Sequence, residues 1–270
     1  MPSATPALPA RARRQLIAER IALDGFVSVA ALTAELGVSE VTVRTDLDGL
    51  ERAGTLRRVH GGALPATGSV RESSVETTAE LDADIKKRIG RQTAALVADG
   101  SSLLLDVGST TLAVARALVA RSDLTDVVVI TNGLSIALAL ESAIPRFTVV
   151  VTGGTLRPLQ HSLVNPMVSA ALAGLHVDLA IIGCTGIDDA GNVTNVNLPE
   201  AEVKREMVAA AARSILVADA SKVGRRHLGM IGTLSDFDTL VMAGAGTDQA
   251  EPIAAAAGIR LVSISGSERV

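Results

Sequence analysis

Five short segments of the chain combine glycine with hydroxyl, amide or carboxylate side chains, which are groups that bind phosphates and sugar hydroxyls. They lie at residues 106–111, 131–133, 152–154, 183–186 and 219–222. In the first segment, Gly108-Ser109-Thr110-Thr111 precedes a helical pattern. Free backbone amides and hydroxyls at a helix N-terminus hold anions such as phosphate. Serine and threonine are also good helix caps, and for one such segment alone a simple cap is favoured by about two to one.

The elements that position these segments follow from the spacing of apolar residues. Strands are predicted at 103–106, 127–131, 148–152, 179–183 and 215–219, with weaker ones at 239–242 and 260–264, and helices at 81–98, 110–120, 134–142, 166–175 and 199–213. Apolar strands that alternate with helices indicate an α/β domain with a mainly parallel sheet. Ligands bind at the carboxyl ends of such strands. The five polar segments therefore converge on one edge, where Asp106 and Asn132 are placed to hold sugar hydroxyls.

Two lysines extend this candidate site. Lys222 follows Asp219 at a predicted strand end, which favours a ligand contact over a surface position. Glu200 and Lys204 are four residues apart on a predicted helix, and this spacing suits a solvent-exposed ion pair equally well. Cys184 has no nearby histidine to activate it, so we interpret it as a small loop or core residue.

No pattern in the chain predicts a metal or an organic cofactor. The four histidines, His60, His161, His176 and His227, lack metal-ligand spacing. Gly244-Ala-Gly246 follows a predicted strand but lacks the third glycine of a dinucleotide-binding loop. We therefore expect no cofactor, no metal and no catalytic residue.

Residues 37–63 predict a second kind of site near the N-terminus. Gly37 marks a tight turn, and Ser39 is a good cap for a helix that starts there. Val43, Leu47 and Leu50 share one face of that helix, which leaves its polar residues on the other faces. Val29, Leu32 and Leu36 mark a shorter helix just upstream. Two helices joined by a glycine turn are typical of a helix-turn-helix.

A short basic hairpin follows the second helix. Residues 56–60 alternate as a strand, and Gly61-Gly62 supplies the turn, which together indicate the wing of a winged helix-turn-helix. We expect Thr42, Arg44 and Thr45 near base edges and the wing residues on the DNA backbone. Arg11, Arg13 and Arg14 in the first helix and its arm are further candidates for phosphate contacts. The predicted DNA-binding residues are Ser39, Thr42, Arg44, Thr45, Arg57, Arg58 and His60.

This N-terminal segment resembles the DNA-binding domain of the DeoR family of bacterial transcriptional regulators. The pattern of that family has a G-x-V-S-V entry, a V-S-x-x-T-[IV]-R recognition helix and an R-x-H-G-G-A wing, which match residues 25–29, 38–44 and 58–63. The family usually has two adjacent arginines in the recognition helix, whereas here Thr45 follows Arg44. That departure bears on operator sequence or affinity.

The resemblance extends over the second domain. DeoR-type sensor domains resemble the ribose-5-phosphate isomerase and CoA-transferase fold, and their motifs D-x-G-[ST]-T, T-N, G-G, G-x-x-G, E-A-x-x-K and D-x-S-K match residues 106–110, 131–132, 153–154, 183–186, 200–204 and 219–222. The resemblance implies a phosphorylated sugar or related metabolite as effector. Asn165-Pro166 stands where many members of the family have a glycine. We expect this departure, together with residues 157–162, to affect which ligand the domain prefers. The predicted effector-binding residues are Asp106, Gly108, Ser109, Thr110, Thr111, Thr131, Asn132, Gly153, Gly154, Gly186, Glu200, Lys204, Asp219 and Lys222.

Composition bounds the remaining possibilities. The 270 residues suggest a disordered arm at 1–10, a winged domain at 11–64, a Ser/Thr-rich linker at 65–79 and an α/β domain at 80–270. Residues 1–64 hold eight Arg and seven Asp or Glu, which is a net charge of +1. The whole chain has a net charge of −4, so residues 65–270 carry −5. Three Phe and no Trp or Tyr argue against single-strand binding by stacking. The apolar runs are too short to span a membrane, and no secretory pattern opens the chain. With its single cysteine, the chain is expected to be cytoplasmic.

The favoured hypothesis is a non-enzymatic transcriptional regulator that represses sugar or carbohydrate genes. It would bind double-stranded operator DNA as a homo-oligomer, and a phosphorylated sugar would modulate that binding. The competing class is an isomerase or acyl-CoA transferase with an accessory DNA-binding domain. A third reading, an architectural DNA-binding protein, predicts no ligand response.

Overall fold

The computed structural model describes residues 9–24, 27–59, 61–65 and 74–264. Its contacts divide the chain into two compact units, Met1–Ser73 and Ser74–Val270, each with its own hydrophobic core. Within the described ranges, every helix is too short or too polar to cross a membrane. The arm expected at 1–10 lies outside the described residues except for its last two, and Ala10 begins the first helix.

The first unit contains three helices and a small antiparallel sheet. The helices are α1 (Ala10–Asp24), α2 (Val29–Leu36) and α3 (Glu40–Arg52), and the strands are β1 (Val27–Ser28), β2 (Leu56–Val59) and β3 (Gly62–Pro65). Strand β3 lies between β1 and β2 and pairs antiparallel with both. The predicted winged helix-turn-helix is confirmed.

Serine caps and one glycine set the bounds of α2 and α3. The Ser28 hydroxyl accepts a hydrogen bond from the Ala31 amide at 3.1 Å, and that of Ser39 accepts one from the Thr42 amide at 3.2 Å. Gly37 follows α2 with φ 63°, a left-handed conformation that glycine adopts without strain. The predicted helix start is therefore correct, with Ser39 as the cap rather than the first helical residue.

The core of this unit forms where α3 crosses the other elements. Val43, Leu47 and Leu50 are buried, as their spacing predicts, and they pack in one cluster with Ile17 and Ile21 of α1. Burying three or more such side chains holds α3 in place, since each contributes on the order of 1.5–3 kcal/mol. The opposite face of α3 stays in solvent.

The second unit is a three-layer α/β domain. Its helices are α4 (Val75–Glu80), α5 (Ala83–Ala94), α6 (Ser109–Ala120), α7 (Leu134–Leu140), α8 (Met167–Leu172), α9 (Leu198–Ala209) and α10 (Ala250–Ala257). Its strands are β4 (Ser102–Leu105), β5 (Val127–Thr131), β6 (Phe147–Val151), β7 (Thr155–Arg157), β8 (Ser162–Val164), β9 (Leu179–Gly183), β10 (Gly186–Ile187), β11 (Asn192–Asn195), β12 (Ser214–Asp219), β13 (Gly229–Thr233), β14 (Thr239–Ala243) and β15 (Arg260–Ile264).

Seven parallel strands form the central sheet in the order β15-β14-β12-β9-β4-β5-β6. Successive strand residues point to opposite faces, so Leu103 and Leu105 join one core cluster and Leu104 the other. Helices α5, α6 and α7 contribute to the first cluster, and α8, α9 and α10 to the second. The predicted α/β class with a parallel sheet is confirmed.

The structure also contains antiparallel pairings that the apolar pattern does not predict. Strands β7 and β8 form a hairpin, and β10, β11 and β13 form a separate three-stranded sheet. These strands are short and contain glycine and polar residues, so their composition resembles that of loops. The β7–β8 hairpin directly precedes Asn165-Pro166, where this chain departs from the family pattern.

The predicted linker at 65–79 differs from the structure at both ends. Pro65 belongs to β3, and residues 75–79 lie within α4, while 66–73 are outside the described residues. Ser74 caps α4 by accepting from the Thr77 amide at 3.3 Å, and Val75 is buried. Six helical residues are too few for a visible apolar period, which is why the composition suggests a linker. The helix predicted at 81–98 is correspondingly shorter and covers Ala83–Ala94.

Candidate functional site

The exposed face of α3 carries the side chains predicted to read DNA bases. Arg44 is exposed and its guanidinium pairs with the Glu40 carboxylate at 3.0 Å, one helical turn earlier. Thr45 is also exposed, and its hydroxyl donates to the Val41 carbonyl at 2.9 Å. The Ser39 hydroxyl, which caps the helix, also lies 2.9 Å from the Thr42 hydroxyl, so these two predicted DNA-binding side chains contact each other.

Val41 is a residue on this face that the sequence analysis missed. Its side chain is 73% exposed, although it lies between polar neighbours in the first turn of α3. An exposed apolar side chain on a reading helix can contact a thymine methyl group in the major groove. Its spacing from Val43 already placed it off the buried face, which is the signal that would have found it.

The wing residues divide into described and undescribed ones. The Arg58 guanidinium pairs with the Asp48 carboxylate, and the Arg58 amide donates to the Glu51 carboxylate at 2.7 Å. Arg58 therefore attaches the wing to α3 in this structure. His60 and the side chain of Arg57 lie outside the described residues.

Two basic residues of α1 pair with a carboxylate inside the N-terminal unit. Arg13 is buried, and both it and Arg14 pair with the buried carboxylate of Asp46, at 2.5 and 2.9 Å. The expectation that Arg13 contacts phosphate is wrong, because a buried guanidinium on a buried carboxylate is unavailable to DNA. The pair instead connects α1 to α3.

At the sheet edge, Asp106, like the predicted effector-binding residues Thr111 and Thr131, has no exposed surface. It follows β4, is fully buried, and accepts a hydrogen bond from the Gly183 amide at 3.0 Å through Oδ2. The same oxygen pairs with the ammonium of Lys204, which also donates to the Gly183 carbonyl at 3.2 Å. Burial raises the pKa of Asp106, and the charge of Lys204 opposes this.

Two buried oxygens at this edge lack a hydrogen-bond partner among the described residues. They are Oδ1 of Asp106 and Oδ1 of Asn132, at the ends of the neighbouring strands β4 and β5. The Asn132 amide group donates to the Leu163 carbonyl at 3.0 Å, which fixes its carbonyl oxygen as an acceptor. Buried acceptors without partners cost free energy unless a ligand or water supplies a donor. Ligand hydroxyls would satisfy both.

Glu200 and Lys204 do not pair with each other on the surface. Both are buried, 4% and 3% exposed, and Glu200 pairs with the Arg157 guanidinium. The Glu200 carboxylate also accepts from the Ser162 hydroxyl at 2.6 Å and from the Asn195 amide at 3.3 Å. The interpretation of Glu200 and Lys204 as a solvent-exposed ion pair is therefore wrong. Helix α9 directs both side chains toward the sheet edge instead.

Asp219, the last residue of β12, lies at the same edge two strands from Asp106. Its carboxylate accepts from the Ser221 amide at 3.0 Å and lies 3.5 Å from the Lys222 ammonium, which is partly exposed. Burial raises the pKa of Asp219, but Lys222, Ser221 and then Lys86 outweigh it and lower the pKa below its usual value. Burial raises the pKa of the nearby Cys184 thiol to about 12, although the charges of Lys222 and Lys204 oppose this effect.

Both units match one family of proteins. Residues 13–67 match the model of a DeoR-like helix-turn-helix domain, and residues 81–243 match that of the DeoR C-terminal sensor domain. The chain belongs to the DeoR family. It is a DNA-binding transcriptional regulator with an N-terminal reading domain and a C-terminal sensor domain.

Individual DeoR-family relatives match over most of their length. The HTH-type transcriptional regulator GlpR of Haloferax volcanii is 33% identical over 237 residues, 88% of this chain and 91% of the relative. The glycerol-3-phosphate regulon repressor of Escherichia coli K12 is 31% identical over 228 residues, 84% of this chain and 88% of the relative. Among solved structures, ribose 5-phosphate isomerase A of Methanocaldococcus jannaschii matches at 19% identity and a TM-score of 0.39, over 53% of this chain and 55% of that one.

Three of the predicted glycines in this DeoR-family sensor domain have identifiable structural roles. Gly108 precedes α6 with φ 123°, and the N-terminus of that helix, which includes Ser109 and Thr110, has no side-chain cap. Thr111 is buried and donates to the Gly108 carbonyl at 2.9 Å. A Cβ on Gly154 would lie 2.6 Å from the Val164 carbonyl oxygen, and one on Gly186 would lie 2.5 Å from that of Arg225. Close backbone approach explains these two glycines.

The remaining predicted residues support neighbouring strand ends. The buried Thr131 hydroxyl accepts from the Gly133 amide at 3.0 Å, which shapes the turn before α7. Gly153 has φ 71°, a conformation that favours glycine. Asn195, whose amide donates to the Glu200 carboxylate, was not predicted, because nothing near it in sequence marks a ligand site. Among the described residues, no group of His, Cys, Asp or Glu is arranged to hold a metal ion.

Proposed function

We propose that this DeoR-family regulator represses genes of sugar or carbohydrate metabolism, and that a phosphorylated sugar modulates its operator binding. The observation that carries the proposal is the pair of partnerless buried oxygens on Asp106 and Asn132, in a domain attached to a DNA-reading helix. Regulation by sugar phosphates is also consistent with the name of the E. coli relative, a glycerol-3-phosphate regulon repressor.

The chemistry of the sheet edge suits a phosphorylated polyol. Asp106 and Asn132 offer acceptors for hydroxyl groups, and the uncapped N-terminus of α6 offers amides for a phosphate. Lys222 is partly exposed and adds a cation at the same edge. A neutral apolar ligand would leave these charges and acceptors unsatisfied, at a cost in affinity.

An enzyme of the isomerase or transferase class would need a carboxylate or lysine free to exchange protons with a substrate. Asp106 is instead bound to Lys204, and Glu200 to Arg157. Relatives across most of the chain are named as transcriptional regulators. These observations support the regulator over the enzyme.

Operator binding in this proposal uses two or more copies of the chain. A helix-turn-helix reads about one half-site, so palindromic operators require paired heads. Arg44, Thr45 and Val41 would face base edges, with Arg57, Arg58 and His60 near the DNA backbone. The effector changes DNA affinity by favouring one arrangement of the heads over another.

The test is fluorescence anisotropy of labelled DNA from upstream of the protein's own gene, at fixed salt. The label is on the DNA because the protein has no Trp or Tyr. Glycerol 3-phosphate, ribose 5-phosphate and glucose 6-phosphate are added in turn. We expect selective binding that one of these compounds changes at least tenfold, a coupling of about 1.4 kcal/mol.

Matched variants locate the response. Lys222→Met should bind the operator but lose the response, with thermal melting as the check on folding. Asp178→Asn is the control, because Asp178 binds Ser102 at the opposite edge of the sheet. Binding without sequence selectivity, or isomerisation of ribose 5-phosphate by the purified protein, would contradict the proposal.

A further inference from the structure

Helix α4 occupies a special place in the chain. It is the first element of the second unit, so the segment that leaves the DNA-binding unit at Pro65 enters the sensor domain through it. At six residues it is too short to be stable by itself in water. Its position therefore depends on the contacts that hold it.

Besides the buried Val75 and the Ser74 cap, a contact with a histidine holds the N-terminal part of α4. The Glu76 carboxylate lies 3.3 Å from Nε2 of His161, and Nδ1 of the same ring lies 2.6 Å from the Ser135 hydroxyl. His161 has φ 49°, a left-handed conformation that is unfavourable for a residue with a side chain. The segment around it is thus held in one specific shape.

The same segment reaches the effector edge, which is the end of the central sheet where Asp106, Asn132 and Asp219 follow or end their strands. Ser162, next to His161, donates to the Glu200 carboxylate at 2.6 Å, and Arg157 pairs with the same carboxylate. Residues 157–162 therefore contact Glu200 on one side and α4 on the other. A change in the partners of Glu200 would move or release the ring that binds Glu76.

A second contact holds the C-terminal part of α4. The Lys86 ammonium, on a residue only 6% exposed, donates to the carbonyls of Thr78 and Leu81 at the end of that helix. Helix α5, which carries Lys86, packs against β12, the strand that ends at Asp219. The charges of Asp219 and Lys222 therefore act on this ammonium. Burial lowers the pKa of Lys86, and Asp219 opposes that effect. The Lys86 ammonium, which binds the C-terminal end of α4, is therefore affected by the charges of Asp219 and Lys222 at the effector edge.

We propose that α4 transmits the state of the effector edge to the DNA-binding unit, through His161 at its beginning and Lys86 at its end. The inference rests on the proposed function, because it uses the same effector edge. A phosphate that attracts Lys222, or a hydroxyl that binds Glu200, changes the partners of groups that hold α4. The two ends of the helix respond to different parts of one ligand.

The first experiment needs no effector. In Lys222→Met, Asp219 loses its neighbouring cation and attracts Lys86 more strongly, away from the Thr78 and Leu81 carbonyls. Hydrogen exchange of the α4 amides should therefore be at least threefold faster than in the wild type. Asp178→Asn, at the opposite sheet edge, should leave α4 exchange unchanged. Equal exchange in wild type and Lys222→Met would overturn the proposed contact path.

The second experiment follows the signal to DNA. Glu76→Gln weakens the contact with His161, and Glu76 is exposed, so the variant should fold normally. The control is Glu80→Gln, an exposed residue on the same helix. Calorimetry with glycerol 3-phosphate, ribose 5-phosphate and glucose 6-phosphate should give each variant the wild-type Kd within twofold. The tenfold effector response of operator binding should fall below threefold in Glu76→Gln alone.

The two proposals fail in distinguishable ways. If none of the three compounds alters operator binding by wild-type protein, the proposed function fails, while the exchange of α4 in Lys222→Met still decides the coupling. If a compound alters wild-type binding and Glu76→Gln responds fully, α4 does not carry the signal and this inference is wrong.

Discussion

Lys204 on α9 forms an ion pair with the fully buried carboxylate of Asp106 after β4, across 98 residues of sequence. Neither charge has access to bulk water, so each depends on the other and on Gly183 for compensation. The pair connects two strand ends and one helix at the centre of the candidate effector site. Its removal should affect both stability and ligand binding.

Breaking this pair from one side should be strongly destabilising. We expect Lys204→Met to lower the free energy of unfolding by about 3–5 kcal/mol, because it leaves a buried carboxylate unpaired. The double variant Lys204→Met/Asp106→Asn should lose clearly less than the sum of the single variants. Urea unfolding followed by circular dichroism measures both. Lys87→Met, which breaks an exposed pair with Asp84, should cost less than about 1 kcal/mol. Strictly additive losses in the double variant would show that the charges do not compensate each other.

Arg44 should contribute sequence selectivity rather than general affinity. Arg44→Ala should weaken operator binding by about 1–3 kcal/mol and relax the base preference at one position. Anisotropy with operator and random DNA at the same salt concentration separates the two effects. Arg52→Ala, at the exposed C-terminal end of α3, is the matched control and should leave selectivity intact. Equal losses on both DNAs would make Arg44 a phosphate contact.

The charged group of Asp219 should contribute stability that is lost in acid. Its folded-state pKa is lowered from 3.8, so the folded form favours the carboxylate more than the unfolded form does. The contribution is complete well above pH 3.8 and declines as the pH falls below it. The stability difference between wild type and Asp219→Asn, measured by urea unfolding at pH 7, 5, 4 and 3.5, should therefore shrink toward low pH. A difference that stays constant over this pH range would argue against this linkage.

Cys184 should be a slow thiol in the folded protein. A pKa of about 12 leaves roughly one thiol in ten thousand ionised at pH 8, and the thiolate is the reactive form. Reaction with Ellman's reagent should be about a thousandfold slower than in guanidinium-unfolded protein. The signal is unambiguous, since the chain has one cysteine. Comparable rates in folded and unfolded protein would show that the thiol is accessible and easily ionised.

Local sequence was sufficient where a feature depends on neighbouring residues. Ser39 caps α3 and Gly37 ends α2 because capping and left-handed turns involve residues only a few positions apart. Strands at 127–131, 179–183 and 260–264 have the predicted bounds, since buried parallel strands are continuous apolar runs. The family motifs lie in these same local segments, which is why the family was identifiable from the chain alone.

Tertiary structure decided the partners of the charged residues. Spacing placed Glu200 and Lys204 on one helix face, but it could not show that Arg157 and Asp106 lie opposite them. For the same reason Arg13 was expected at DNA, although it binds the buried Asp46. An ion pair forms wherever the fold brings opposite charges together out of water, and no local pattern records which distant element will supply the partner. The sequence by itself therefore determined the elements and the family, and the packing of those elements determined which side chains meet at the candidate effector site.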